Sequence, residues 1–155
     1  MSDTFEIVEI LTENDRPQFS IGVVAEMIGV SVHALRTYET AGLVYPFRTN
    51  STRRMYSEND ISRLRNIRIM IEDRGLNFAG IKALMSLAPC WDIKNCTASE
   101  RAICPAFTDT VEPCWLIENK PHFCSEEECK ECQVYKELTL SSNMKQYLQS
   151  HGKTV

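Results

Sequence analysis

All seven cysteines of this 155-residue chain lie within 43 consecutive residues, and no cysteine precedes them. They are Cys90, Cys96, Cys104, Cys114, Cys124, Cys129 and Cys132. In a reducing cytosol such a cluster is explained more readily by metal than by disulfides, and an odd number leaves at least one thiol out of any complete disulfide scheme. The sequence therefore divides near Pro89 and predicts a cysteine-rich metal-binding domain in its second part.

The net charge of the chain is −4, but this charge is unevenly distributed. Residues 1–16 have a net charge of −4, residues 17–89 of +3 and residues 90–155 of −3. Nucleic-acid binding depends on basic side chains that neutralise phosphates, so an acidic total can conceal a basic binding segment. We therefore expect any contact with nucleic acid to lie within residues 17–89.

The first 18 residues mix acidic and apolar side chains without a lasting period, and they end in Asn14-Asp15-Arg16-Pro17, which predicts a turn. We interpret residues 1–18 as a flexible arm. A secretory signal would need a basic start and an apolar stretch, and a membrane helix about 18 apolar residues in a row. Neither pattern occurs, so we expect a cytoplasmic protein with no membrane partner.

Two short helices are predicted next. Ser20 can cap the first helix, and Gly29 stands where the end of a helix needs a positive φ. Ser31 can cap the second helix, whose apolar residues lie three positions apart and leave its other faces polar. Two short helices joined by a turn that contains glycine form a helix-turn-helix.

The residues that follow predict a wing and two more helices. Two short extended pieces between Leu43 and Tyr56 flank a polar turn, which is typical of a β-hairpin wing. Ser57 is followed three residues later by an acid and predicts the start of a third helix, and Asn77 predicts the start of a fourth helix that ends before Pro89.

The third predicted helix carries three arginines on its polar positions. We expect Arg63, Arg65 and Arg68 to form a solvated face, because charged residues at helical spacing usually do. They are therefore left outside the candidate binding site.

Five separated motifs resemble the MerR family of regulators in order and spacing, over residues 19–88. The motifs are Ile21-Gly-Val-Val-Ala25, Leu35-Arg-Thr-Tyr-Glu39, Gly42-Leu-Val-Tyr-Pro46, Arg53-Arg-Met-Tyr-Ser57 and Gly75-Leu-Asn-Phe-Ala-Gly-Ile81. The last two look most like the heat-shock repressor branch. The resemblance implies a winged helix-turn-helix and a homodimeric regulator that binds promoter DNA sequence-specifically. Such a regulator is not an enzyme, and RNA polymerase is a further candidate partner.

The predicted recognition helix begins at Ser31 and places His33, Ala34, Arg36 and Thr37 near the major groove, where side chains at the start of such a helix read base edges. The resemblance to MerR regulators adds contacts to the DNA backbone or minor groove. The residues to which the resemblance assigns these contacts are Arg36, Tyr38, Arg48, Arg53, Arg54 and Tyr56. Two alternatives stay open, since Tyr38 and Tyr56 could instead belong to the core edge and His33 could be an ordinary surface residue.

The cysteine-rich segment contains an internal repeat. Pro89-Cys-Trp-Asp-Ile-Lys-Asn95 recurs 24 residues later as Pro113-Cys-Trp-Leu-Ile-Glu-Asn119, with five identities in seven positions. Two of the identical residues are rare types, so we interpret the segment as two related half-units. The pattern resembles the "two-CW" domain over residues 89–135.

Thiolates suit iron–sulfur clusters and zinc, and a closed thiolate site can order a segment with little apolar periodicity. The spacing disfavours a zinc ribbon, because only Cys129 and Cys132 form a Cys-x2-Cys knuckle. Flanking apolar residues would exclude water and favour an iron–sulfur cluster, with zinc as the alternative. Those residues are Trp91, Ile93, Phe107, Trp115, Ile117, Phe123 and Tyr135.

All seven cysteines are candidate ligands. Cys124, Cys129 and Cys132 are predicted to act together because they are closest in sequence, and one of the other cysteines, or His122 in place of one, would complete the site. Free thiols that react with oxidants or form disulfides remain a further alternative.

The fold predicted for the whole chain is mainly α. A winged helix-turn-helix at 19–88 is followed by a small irregular cysteine-rich metal-binding domain at 89–135 and by a C-terminal helix or tail at 136–155. MerR regulators usually carry a long pairing helix after the fourth, but Pro89 interrupts it here. The cysteine-rich domain or a helix near 134–150 would then form the dimer.

We hypothesise that the state of a cysteine-bound cofactor, either redox or metal, alters DNA binding by the first domain. One alternative keeps the regulator and makes the cysteine-rich domain an inert structural zinc unit that binds another protein. The other makes the chain an electron-transfer protein.

Overall fold

The computed structural model describes residues 14–108, 111–118, 124, 129–140 and 144–151. Most of the predicted N-terminal arm, together with His122 and Phe123, lies outside the described residues. The chain divides between Ile69 and Met70 into two compact units. This division lies 19 residues before the boundary predicted from sequence at residue 88.

The first unit begins with the predicted helix-turn-helix. Gly29 ends the first helix with φ 75°, a left-handed conformation that glycine adopts without strain. Ser31 begins the second helix, and its Oγ accepts a hydrogen bond of 3.0 Å from the backbone N–H of Ala34. The elements are β1 (Phe19–Ser20), α1 (Ile21–Ile28) and α2 (Val32–Thr40).

The predicted wing is a hairpin of β2 (Phe47–Arg48) and β3 (Arg54–Tyr56), joined by a tight turn. Strand β1 completes an antiparallel sheet of order β1-β3-β2. Thr52 adopts φ 62° within the turn, and the backbone N–H of Thr49 donates to the carbonyl of Arg53 at 3.0 Å. Arg53 therefore pairs with Thr49 where the turn meets β3.

Helix α3 (Glu58–Glu72) is capped as the sequence predicts. The backbone N–H of Ser57 donates to the Asp60 carboxylate at 2.9 Å, and the backbone N–H of Asp60 donates to Ser57 Oγ at 3.1 Å. This reciprocal pair satisfies two N–H groups that a helix start leaves without partners.

The prediction that three arginines form a solvated face of α3 is wrong for two of them. Arg63 is 1% exposed, and its Nε donates to the carbonyl oxygen of Leu43 at 2.6 Å. Arg68 is half-buried and donates to the carbonyl oxygen of Ile28. Only Arg65 is exposed. Arg63 and Arg68 thus donate hydrogen bonds to backbone carbonyl oxygens of other segments. Periodicity along one helix does not reveal such pairing.

The second unit begins within α3 and contains α4 (Phe78–Ser86). Asn77 caps α4, with its side-chain oxygen accepting from the backbone N–H of Gly80 at 2.8 Å. Lys82 on α4 lies 3.8 Å from the carboxylate of Glu112 in the cysteine-rich segment. Helix α4 therefore belongs to the same compact unit as the cysteines.

The cysteine-rich segment contains more helix than its sequence period suggests. Its elements are α5 (Cys90–Ile93), α6 (Ala98–Ile103), α7 (Pro105–Thr108) and the 3-10 turns Cys114–Leu116 and Cys129–Glu131. In each copy of the repeat, the proline directly precedes a single helical turn and the cysteine is its first residue. The two half-units thus share a local structure as well as a sequence.

The predicted C-terminal helix is present as two helices, α8 (Gln133–Leu140) and α9 (Met144–His151). Val134, Tyr135, Leu138 and Tyr147 are buried. Among the helices that the structure describes, none has the length and apolar character needed to cross a membrane.

Candidate nucleic-acid interface and thiol cavity

The exposed residues of the recognition helix α2 lie near its start. Ser31, His33 and Arg36 are exposed, whereas Ala34 and Thr37 are half-buried. The Thr37 hydroxyl donates to the carbonyl oxygen of His33 at 3.0 Å, so it is already engaged with its own helix. The cationic side chain that α2 offers to a partner is therefore Arg36.

The two tyrosines predicted to contact DNA belong to the core. Tyr38 is 8% exposed and Tyr56 is 0% exposed. Burial raises the pKa of Tyr56 to about 12, and its hydroxyl has no hydrogen-bond partner among the described residues. The predicted DNA contact is therefore wrong for Tyr56, and Tyr38 presents at most an edge. Both rings fill the interior beneath the helix and wing.

Glu39, which the sequence analysis did not select, connects the recognition helix to the wing. One carboxylate oxygen lies 2.6 Å from Arg48 Nη2 and the other lies 2.5 Å from Arg54 Nε. The hydrogen bond that Arg54 donates to Glu39 raises the pKa of Arg54. Both strands of the wing are thus held to α2 through one side chain. The only signal in the sequence is its place in the Leu-Arg-Thr-Tyr-Glu motif, which says nothing of its partners.

Arg53 differs from the other two wing arginines. It is exposed where the turn of the hairpin meets β3, and within the part of the chain that the structure describes its side chain makes no ion pair. Arg36 on the recognition helix shares this property. The structure therefore offers one cation on the helix and one on the wing, set in a fixed relation by Glu39.

Replacing Glu39 by glutamine is expected to lower the free energy of unfolding by about 1 kcal/mol, because two charge-assisted hydrogen bonds become weaker amide contacts. The Arg48 side chain is 48% exposed, so solvent screening makes its pair the weaker of the two. Urea denaturation followed by circular dichroism measures the change. Glu26→Gln, an exposed acid on α1, is the matched control, and equal midpoints for the two variants would contradict the role assigned to Glu39.

In the second unit, all seven cysteines line a single cavity of about 40 Å³. The remaining lining residues are Trp91, Lys94, Arg101, Ala106, Phe107 and Val134. A single water molecule needs a cavity of roughly 10–15 Å³, so this cavity is larger than one water molecule requires. All seven candidate ligands therefore line one cavity.

The cysteines of the two repeats contact each other. The Cys114 thiol donates a hydrogen bond to the sulfur of Cys90, which lowers the pKa of Cys90 and raises the pKa of Cys114. Their neighbouring tryptophans are also placed alike, because Trp91 meets Phe107 edge-on at 5.0 Å and Trp115 meets Tyr135 edge-on at 5.3 Å. The tryptophan of each repeat thus belongs to an aromatic pair.

Burial also affects the other thiols. It raises the pKa of Cys124 to about 11 and raises the pKa of Cys96. Lys94 opposes this shift at Cys124 and Arg101 opposes it at Cys96. Without a metal these thiols stay protonated at neutral pH, and metal binding there would release protons.

The arrangement suits a cluster better than a single ion. Among the described residues, no three His, Cys, Asp or Glu side chains converge closely enough to hold one metal ion. Structural zinc needs four ligands about 2.0–2.3 Å from one centre. The seven thiols that line the cavity outnumber the four that a zinc ion or a four-iron cluster binds, and in such a cluster each thiolate binds a different iron atom. The residues present therefore fit an iron–sulfur cluster.

Comparison with known proteins matches the first part of the chain. Residues 19–88 match the family model described as MerR HTH family regulatory protein. The chain is 43% identical over 77 residues to heat shock protein HspR of Streptomyces coelicolor, covering 50% of each protein. It is 42% identical over 69 residues to the HTH-type transcriptional regulator GlnR of Bacillus anthracis, covering 44% of this chain and 53% of GlnR.

A third relative, heavy metal-dependent transcription regulator 2 of Rhizobium meliloti, is 39% identical over 69 residues, which cover 44% of this chain and 46% of that protein. The chain thus spans about half the length of the curated relatives that it matches.

Proposed function

Because residues 19–88 are a MerR-family helix-turn-helix domain, we propose that this protein is a sequence-specific DNA-binding regulator of transcription. The observation that carries the proposal is the pair of exposed arginines, Arg36 on the recognition helix and Arg53 beside the turn of the wing, with Glu39 holding helix and wing together. This arrangement suits a helix in the major groove and a wing on the flanking backbone.

Its partner is double-stranded promoter DNA, bound by a homodimer in the cytoplasm. A two-fold dimer matches a palindromic operator, because each recognition helix then meets an equivalent half-site. Helix α4 ends at Ser86 and Pro89 follows, so dimer contacts come from elements of the second unit. RNA polymerase would meet the dimer on the promoter.

The second unit acts as the sensor, through an iron–sulfur cluster held by cysteine thiolates. The seven thiols around one cavity support this role, and so does the name of the heavy metal-dependent relative. When bound, the cluster supplies a redox couple and thiolate bonds that oxidants can break. The chain itself provides the thiolates, and Trp91 and Phe107 restrict the access of water.

A sensor changes DNA binding only if its two states bind DNA with different affinity. We expect the holo-protein and the cluster-free protein to differ in operator affinity by about fivefold to a hundredfold, the range typical of coupled sites. The operator is first selected with the full chain from a pool of random duplexes. Fluorescence anisotropy then compares anaerobically purified protein with protein stripped by a chelator.

Failure to enrich any sequence, with binding equal on all duplexes, would overturn the regulator itself. Equal operator affinity of the two forms would overturn the sensor and leave a structural metal domain that binds another protein. That second candidate has one observation in its favour, since Ile103 is 74% exposed and Val111 is 70% exposed in the second unit.

A further inference from the structure

Three segments of the cysteine-rich unit come together at the start of helix α8. Helix α8 packs against α5, the turn that begins with Cys90. The ring of Tyr135 on α8 meets Trp115 at 5.3 Å, which brings the turn that begins with Cys114 to the same place. Cys132 directly precedes α8. Packing of the backbone and aromatic rings thus brings both repeats and the Cys-x2-Cys knuckle together at the start of α8.

The sulfur atoms follow the same grouping. The hydrogen bond with Cys90 raises the pKa of Cys114 most, followed by burial and then by the nearby thiols of Cys90, Cys132 and Cys129. Cys129 and Cys132 belong to one tight turn, in which the backbone N–H of Cys132 donates to the carbonyl of Cys129 at 3.1 Å. These four cysteines therefore form a set centred on Cys114.

The other three cysteines belong to other elements of the unit. Cys96 follows α5, and Cys104 connects α6 with α7. The side chain of Arg101 donates to the carbonyl oxygen of Cys96 at 3.2 Å. Among the thiols, Cys104, Cys96 and Cys132 raise the pKa of Cys124, in that order. Cys90 raises the pKa of Cys96 ahead of Cys104, so Cys96 links this group to Cys90.

We propose that Cys90, Cys114, Cys129 and Cys132 are the four ligands of the iron–sulfur cluster, and that Cys96, Cys104 and Cys124 line its cavity without binding iron. This assignment rests on the cluster proposed above. It replaces Cys124, which the spacing favoured, by the two equivalent cysteines of the repeat. Four thiolates complete an iron–sulfur cluster, so the repeat and the knuckle each supply half of the ligands.

Seven single Cys→Ala variants of the full chain test the assignment. After anaerobic purification, iron and acid-labile sulfide are measured per chain, and circular dichroism checks the fold. Cys90→Ala, Cys114→Ala, Cys129→Ala and Cys132→Ala are expected to lose iron by about tenfold or more, since losing even the groups that orient ligands weakens metal binding on that scale. Cys96→Ala, Cys104→Ala and Cys124→Ala are expected to keep the iron content of the wild type.

Cys→Ser variants separate loss of a ligand from loss of the fold. Serine keeps the size of the side chain and offers a hydroxyl oxygen, so a serine at a ligand position shifts the electron paramagnetic resonance spectrum of the reduced cluster. The expected result is a shifted spectrum, or none, at the four proposed ligands and an unchanged spectrum at the other three positions. An unchanged spectrum at any of the four overturns the assignment, as does iron loss in any of the other three that retains its fold.

Wild-type protein that contains zinc or no metal, instead of iron with sulfide, overturns both the cluster and its ligands. The proposed DNA binding is judged separately, because it is measured as operator affinity and not as metal content. A wrong ligand set can thus be distinguished from a wrong function.

Discussion

Arg63→Ala is expected to lower the stability of the first unit by about 3 kcal/mol, the cost typical of truncating a large, fully buried side chain or removing one partner of a buried charged contact. The guanidinium is 1% exposed and its Nε donates to the carbonyl oxygen of Leu43 at 2.6 Å. The variant leaves a cavity and removes this buried donor. Hydrogen exchange of peptides from residues 19–69 reports the free energy of opening of this unit alone.

Arg65→Ala is the matched control, because Arg65 lies two residues away on the same helix and is exposed. Its effect should stay within about 0.5 kcal/mol, as for most surface substitutions. If the two variants showed the same exchange rates, Arg63 would belong to a solvated face after all.

Arg36→Ala is expected to weaken operator binding by about tenfold to a hundredfold, the loss typical of one arginine that reads a base or grips a phosphate. Arg36 is exposed on the recognition helix, so its removal leaves the core intact. Fluorescence anisotropy on the selected operator at constant salt measures the change. Arg65→Ala, which removes the same charge outside the recognition helix and wing, should bind like the wild type.

Arg36→Lys identifies the kind of contact. Lysine keeps the charge but loses the planar fork that pairs with guanine, so strong recovery indicates a phosphate contact and weak recovery indicates a base. Wild-type affinity in Arg36→Ala would exclude α2 as the recognition helix.

Local signals made much of the first unit predictable. Ser31, Ser57 and Asn77 start helices where the sequence places them, and Gly29 ends one, because caps depend on residues within one turn. The resemblance to the MerR family is confirmed by the match at residues 19–88. Contacts between distant segments were not predictable, as the bridge from Glu39 to Arg48 and Arg54 shows.

The cysteine-rich unit was predicted in its composition but not in its detail. Helix α6 carries a capping box that could have been read in the sequence, with Thr97 and Glu100 each accepting from the other's backbone N–H. The helix is only six residues long, too short to show an apolar period. The spacing along the chain predicts Cys124 as a ligand and the set proposed above leaves it out, because proximity in sequence does not determine which thiols meet across a cavity.

The internal pairing of arginines affects how strongly the proposed DNA binding should depend on salt concentration. Arg48 and Arg54 share the Glu39 carboxylate, and Arg63 and Arg68 bind carbonyls. A protein releases condensed counterions from DNA only with cations that reach phosphates. If the domain at 19–88 binds DNA as proposed, we expect it to release fewer ions than its number of arginines suggests, and its non-specific attraction to DNA to be correspondingly weak. Discrimination among sites then depends on the fit of helix and wing to the groove more than on charge.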